Sequence, residues 1–340
     1  MIETSDPEYN NINSPASQKE PDAGSRQLSD RWLVEQPVSM EFVRVPQGTF
    51  LMGSDSDCDS TVDDGEQPQH SVMLSEYWIG RTPVTNAQYA RFIQDQGYEK
   101  QEYWSVEGWC WRLGKWESDL TIYNAAWQKE MSEWLVHRPI SLRDLPFHWR
   151  DSKWNGVEQP VVGVCWFEVE AYTNWLNALS EARVQLPSEA QWEKAARGTK
   201  GWIYPWGNVW DGTRCNTGED KIGKTTPLGS FSPAGDSPYG CADMIGNVWE
   251  WCQDWYDPEI YSRRAGQVVT DPTGPSAGKA RVAHGGSWYL DHKDVRCAHR
   301  LKLVPDYFGN GLGFRLMLSQ IPTLTATETS TPNHADDNFR

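Results

Sequence analysis

The chain has 340 residues, with 47 acidic side chains against 31 basic ones and a formal charge of −16. That balance argues against nucleic acid, whose phosphates require clustered Lys and Arg, and it suits an anionic membrane surface poorly. No stretch is apolar for long enough to span a bilayer, and the polar, acidic start lacks the basic and apolar regions of a secretory leader.

Residues 1–38 are rich in Ser, Asn, Asp, Glu and Pro and read as a disordered tail, as do residues 321–340. Residues 39–320 read as one domain. It opens with alternation over Met40–Val45, followed by Pro46–Gly53, which together read as two short strands around a turn. An acidic loop over residues 55–66 is expected to face water, and Ser71–Trp78 reads as a further strand. Thr85 and Gln88 form a capping box that opens a helix over Asn86–Gln96. Residues from about 99 to 158 carry Trp104, Trp109, Trp111, Trp116, Trp127, Trp134, Trp149 and Trp154 and read as an ordered insertion. Helical spacing returns over Phe167–Leu179, and a third helix is capped by Ser188 and Gln191 and stops at Gly198. Beyond it come turns and short strands. The fold class is therefore α+β, with few helices, short strands and much irregular structure.

The seven cysteines are scattered and none forms a CxxC pair, which sets aside zinc and thioredoxin-like readings. Reduced thiols in a cytoplasmic protein are expected. Ser287 in Gly-Gly-Ser-Trp is not a nucleophile elbow, and no phosphate-binding loop follows Gly285-Gly286. Asp254 and Asp257 flank Trp255 and Tyr256 and read as loop-stabilising acids rather than a catalytic pair. His284, His292 and His299 lie close in sequence, but their spacing matches no ligand pattern. Cys297 reads as buried and structural.

Seven blocks then fall in one register: Gly48–Gly53, Pro83–Tyr89, Leu186–Glu193, Tyr204-Pro-Trp-Gly207, Gly246–Trp251, Gly285-Gly-Ser-Trp288 and Gly313-Phe-Arg315. Together they resemble the formylglycine-generating (sulfatase-modifying factor) domain over roughly residues 39–318. The resemblance implies a C-type-lectin-like fold and structural calcium. It places one calcium set at Asp243, Gly246, Val248 and Glu250 and a second at Asn216, Thr217, Asp220 and Ile222; an ordinary Asx-rich turn is the other reading of the second set. The family's oxidases hold Cu(I) with two cysteines just after Gly-Gly-Ser. Here Trp288–Val295 has none, so copper is not expected and no catalytic residue is assigned. Related sulfoxide synthases use iron held by histidines of an attached helical domain, whose His-x-x-x-His-x-Glu motif is missing.

A second branch of the family displays a binding surface instead, and some of its members are variable proteins of diversity-generating retroelements. The frame Gly285–Trp288, Arg296, Ala298, Arg300, Pro305, Asp306 and Gly313–Arg315 resembles theirs. The residues it encloses supply the expected contact set: Trp288, Tyr289, Leu290, Asp291, His292, Leu301, Leu303, Val304, Tyr307, Phe308 and Asn310. Aromatic anchors among small, acidic and aliphatic residues resemble a paratope; the competing reading buries Leu290, Leu301 and Leu303 in an ordinary loop-and-strand. Arg296, Arg300 and Arg315 are expected to hold the scaffold. The function expected is ligand binding, with a protein or other macromolecule as partner. The alternative is a metal-dependent oxidoreductase on a non-standard site drawn from His284, His292 or Cys297.

Overall fold

The computed structural model describes residues 25–28 and 30–320. Strands β1 (Ser25–Leu28), β2 (Arg31–Val34) and β3 (Met40–Val45) form an antiparallel meander in which Trp32 stands opposite Phe42. The first two fall inside the stretch read as a tail, and burial gives the reason: Trp32 is 1 % exposed and enters the main core with Val34. Residues 1–24, 29 and 321–340 lie outside the described residues.

β4 (Gly48–Met52) does not fold back on β3. It pairs with β5 (His70–Leu74), while β6 (Tyr77–Gly80) returns to β3. The single strand expected over 71–78 is thus two, parted at Ser75, whose N–H donates to Asp271 at 2.7 Å. Helix α1 (Asn86–Gln94) starts at the expected capping box, with reciprocal bonds of 3.1 and 2.9 Å between Thr85 and Gln88. The insertion holds α2 (Val106–Arg112) and α3 (Ala125–Leu135), capped by Ser105 and Asn124. Trp111 and Trp116 of the insertion pack on Phe167 of α4 (Trp166–Leu179), the central helix. On its other side Tyr172 stacks on Tyr89 at 5.0 Å and meets Phe314 edge-on.

β7 (Arg183–Gln185) leads into α5 (Glu189–Arg197), which begins at the Ser188–Gln191 box and ends at Gly198. Then follow β8 (Trp249–Trp255), a short α6 (Ile260–Arg264) that periodicity did not foretell, β9 (Val268–Thr270) and β10 (Arg281–His284). The chain closes with β11 (Arg300–Leu303), β12 (Leu312–Gly313) and β13 (Met317–Gln320). Among the described residues three sheets result, ordered β1-β2-β3-β6-β13-β7, β11-β10-β8-β12 and β4-β5-β9. One large core lies along α1 and α4 and another around α5, and the mixed α+β architecture is the one expected.

Candidate functional site

The strand β10 ends at Gly285-Gly286, where φ is +100° and +72°. A Cβ at Gly285 would lie 2.8 Å from the Met244 carbonyl oxygen, and one at Gly286 would lie 2.5 Å from Val295 Cγ1. Only glycine fits both the backbone and the space. The sharp turn delivers Trp288 and Tyr289 to the surface.

Three buried arginines fix the segments on either side. Arg296 pairs with Glu66 through bonds of 2.7 and 2.5 Å and reaches Asp59 at 3.3 Å. Arg300 pairs with Glu189 and donates to the Gly65 carbonyl at 2.7 Å. Arg315 meets both oxygens of Glu250 at 2.6 and 2.7 Å. The acidic loop over 55–66 is therefore not simply solvated: Glu66 is 1 % exposed because buried guanidinium groups require a carboxylate partner.

Between these anchors, five of the expected contact residues line one cavity of ≈ 200 Å³: Tyr289, Leu301, Leu303, Tyr307 and Asn310. Trp134, Trp249, Gly309, Gly311 and Leu312 complete its wall. Tyr289 is 48 % exposed and packs edge-on against Trp288 at 5.2 Å. Trp288 is half-buried, and its Nε1 donates to the Asn310 carbonyl at 3.2 Å. Burial pushes the Tyr307 phenol well up, so it stays a neutral hydrogen-bonding group. Asp291 and His292 do not line the cavity: Asp291 pairs with Lys293 at 3.2 Å, and His292 Nδ1 is 2.6 Å from Glu219. Leu290 is half-buried and packs against both cores.

Leu303, Val304 and Phe308 depart from the surface expectation, at 5 %, 0 % and 1 % exposed. The cause is the insertion. Trp134 of α3 stacks on Phe308 at 5.3 Å, and its Nε1 donates to the Phe308 carbonyl at 2.6 Å. The Tyr123 hydroxyl donates to the Lys302 carbonyl at 3.1 Å and accepts from the Val304 N–H at 3.0 Å. Leu303 still forms part of the cavity wall; Val304 and Phe308 are core. Trp134 and Tyr123 escaped the sequence reading, although the tryptophan density of the insertion was their signal.

The candidate metal groups do not converge. His284 is 0 % exposed, 3.2 Å from Glu189 and stacked on Trp192. His292 faces Glu219, and His299 faces Asp63 at 3.3 Å. Among the described residues no three His, Cys, Asp or Glu side chains form a metal-holding group. Cys297 is fully buried, and burial pushes its thiol up to about 12. Asp254 accepts from the Glu189 N–H at 2.7 Å while Asp257 pairs with Arg263, so they form no carboxylate dyad.

Of the two calcium sets, the first does not fit a cation at Glu250. Its carboxylate is buried and already takes bonds from Arg315 and from Trp192 Nε1, the latter at 2.7 Å. Asp243 accepts from the Gly229 N–H at 2.6 Å, and Gly246 and Val248 are buried. In the second set Asn216 Oδ1 is buried with no hydrogen-bond partner, an oxygen of the kind calcium takes. Thr217 and Asp220 lie on the same turn, 3.4 Å apart from N–H to carboxylate, with Ile222 following it 41 % exposed. The two segments touch, since the Asn247 N–H donates to the Asn216 carbonyl at 2.8 Å.

Residues 32–320 match the family model described as the sulfatase-modifying factor enzyme 1-like domain. A formylglycine-generating enzyme from Thermomonospora curvata is 35 % identical over 310 residues, covering 82 % of this chain and 94 % of that protein. Among solved structures, PvdO from Pseudomonas aeruginosa superposes with a TM-score of 0.59 at 22 % identity, covering 82 % of this chain and 94 % of its own. Treponema denticola variable protein 1 superposes with a TM-score of 0.57 at 20 % identity, covering 83 % and 96 %. Both carry the same fold. With its frame glycines, the three buried arginines of that frame and a match over nearly the whole described chain, this protein belongs to the sulfatase-modifying factor (FGE-sulfatase) family.

Proposed function

We propose that this chain is a ligand-binding member of the family that has no cysteine-oxidase chemistry and presents the Tyr289–Asn310 surface to a protein or other macromolecule. One observation carries the reading. The segment Trp288–Val295 holds no thiol, and the neighbouring Cys297 is buried with its thiol pushed up to about 12. Cu(I) needs accessible thiolates, and this segment supplies none. What stands there instead is an aromatic-walled cavity with Tyr289 half out in solvent, the geometry of a rigid anchor with few rotatable bonds. Structural calcium at the Asn216 turn and a cytoplasmic setting belong to the same reading; the seven cysteines are all free thiols.

The oxidoreductase alternative draws on the enzyme name of the Thermomonospora relative. It is disfavoured because His284, His292 and Cys297 each face a different neighbourhood. Selection of a displayed random-peptide library on the immobilised protein tests the proposal. Enriched sequences should bind the parent chain and lose binding to the Tyr289→Ala, Leu301→Glu double variant. Equal binding to both proteins would reject this surface as the binding site.

A further inference from the structure

At the end of β8 remote from Tyr289, a cavity of ≈ 470 Å³ opens between α4, the strand end and the loop after β9. Trp249 at one end of β8 lines the aromatic cavity and Trp255 at the other lines this one, so about 20 Å of strand separates them. Inside, the Arg281 guanidinium is clamped between Trp166 and Trp255, 3.7 and 3.5 Å from their ring centroids. Its Nη1 donates to the Gln253 carbonyl at 2.6 Å, whereas its buried Nε has no acceptor. A second cavity of ≈ 350 Å³ shares Gln185, Gln253 and Thr273 with the first, and the two form one groove. Each is the size of a small-molecule site, about 300–1,000 Å³.

The lining narrows the ligand. Glu170 and Asp254 stand against the single cation Arg281, so an anion is repelled. The groove's four carboxylates are engaged already, Asp254 by the Glu189 and Gly274 N–H groups, Glu170 by the Ser105 hydroxyl, Asp271 by Ser75 and Glu76 by Arg44, so a cation gains little. An apolar ligand would strand polar groups. Gln253 and Thr273 side chains make no hydrogen bond among the described residues, and the Gln185 amide has only a 3.8 Å contact with Met317 Sδ. An extended peptide would pair with the edge strand β7, but the Asn177 side chain already occupies the Val184 N–H and carbonyl at 2.8 and 2.9 Å.

We infer that this groove binds a neutral oligosaccharide, whose hydroxyls pair with the unengaged amides and hydroxyls while the clamped Arg281 supplies a rigid donor edge. The site goes beyond the proposed macromolecular surface and shares no residue with its cavity. Isothermal titration of the full chain with cellohexaose, maltohexaose and chitohexaose tests it, alongside a Ser-Gly hexapeptide and trigalacturonate. At least one hexaose should bind, with Gln253→Ala and Arg281→Lys each weakening it roughly tenfold, the loss of one or two hydrogen bonds, and Tyr289→Ala leaving it unchanged. Gln253 is exposed, so its replacement leaves the fold intact. Heat from none of the hexaoses, from only the peptide or trigalacturonate, or binding that survives Gln253→Ala and Arg281→Lys would overturn the assignment.

Discussion

Arg315, in the frame, and Tyr289, enclosed by it, are used in opposite ways. Arg315 is 0 % exposed and bonds Glu250 and the carbonyls of Gly80 and Ala242. Replacing it by Met leaves a buried carboxylate whose remaining partner is Trp192, and should cost about 3–5 kcal/mol, read by denaturant unfolding. Tyr289, half in solvent, should tolerate Ala within about 0.5 kcal/mol, yet lose ligand affinity by roughly tenfold or more as an interface anchor. If Tyr289→Ala cost as much stability as Arg315→Met, Tyr289 would be scaffold, not contact. The frame residues were legible in the sequence through the resemblance of their blocks to the family's, and the structure supplies the physical reason in glycine geometry and buried charge. Val304 and Phe308 were not, because nothing in residues 301–312 reveals that Tyr123 and Trp134 will cover them.

At the scale of elements, local signals held and nonlocal ones did not. The two capping boxes lie within four residues of sequence and were read correctly. The partner of β4 was misread, since β3 adjoins it in sequence while its true neighbour β5 lies beyond the acidic loop. That loop was read as solvated for the same reason: Arg296 is 230 residues from Glu66. The insertion is the element with the clearest consequence, as α3 covers the segment after β11. Trp134→Ala should raise amide hydrogen exchange over residues 303–308 while leaving β13 protected. Unchanged exchange there would mean that α3 does not brace the site.

Over the whole molecule, two buried acids set opposite limbs of the pH profile. Burial pushes Glu189 up, but Arg300 and His284 outweigh it and hold the carboxyl at about 2. A lowered carboxyl contributes stability that is present above 4.5 and lost as pH falls toward 2. Asp254 runs the other way: burial raises it from 3.8 to about 6, so the fold favours its protonated form and stability declines as pH rises through that window. Thermal unfolding should therefore be most resistant between about 3.8 and 4.5, where the two limbs cross, with Glu189→Gln flattening the acid limb and Asp254→Asn the other. A profile unaffected by either variant would contradict this assignment. The same frame that places these acids also carries the family's fold without the family's thiols, and that contrast is most directly tested by one measurement. The Cu(I)-loaded protein is incubated aerobically with a cysteine-containing sulfatase-type peptide, and the peptide is followed by mass spectrometry. Unchanged peptide is the expected result; catalytic formation of formylglycine would contradict a binding role without oxidase chemistry.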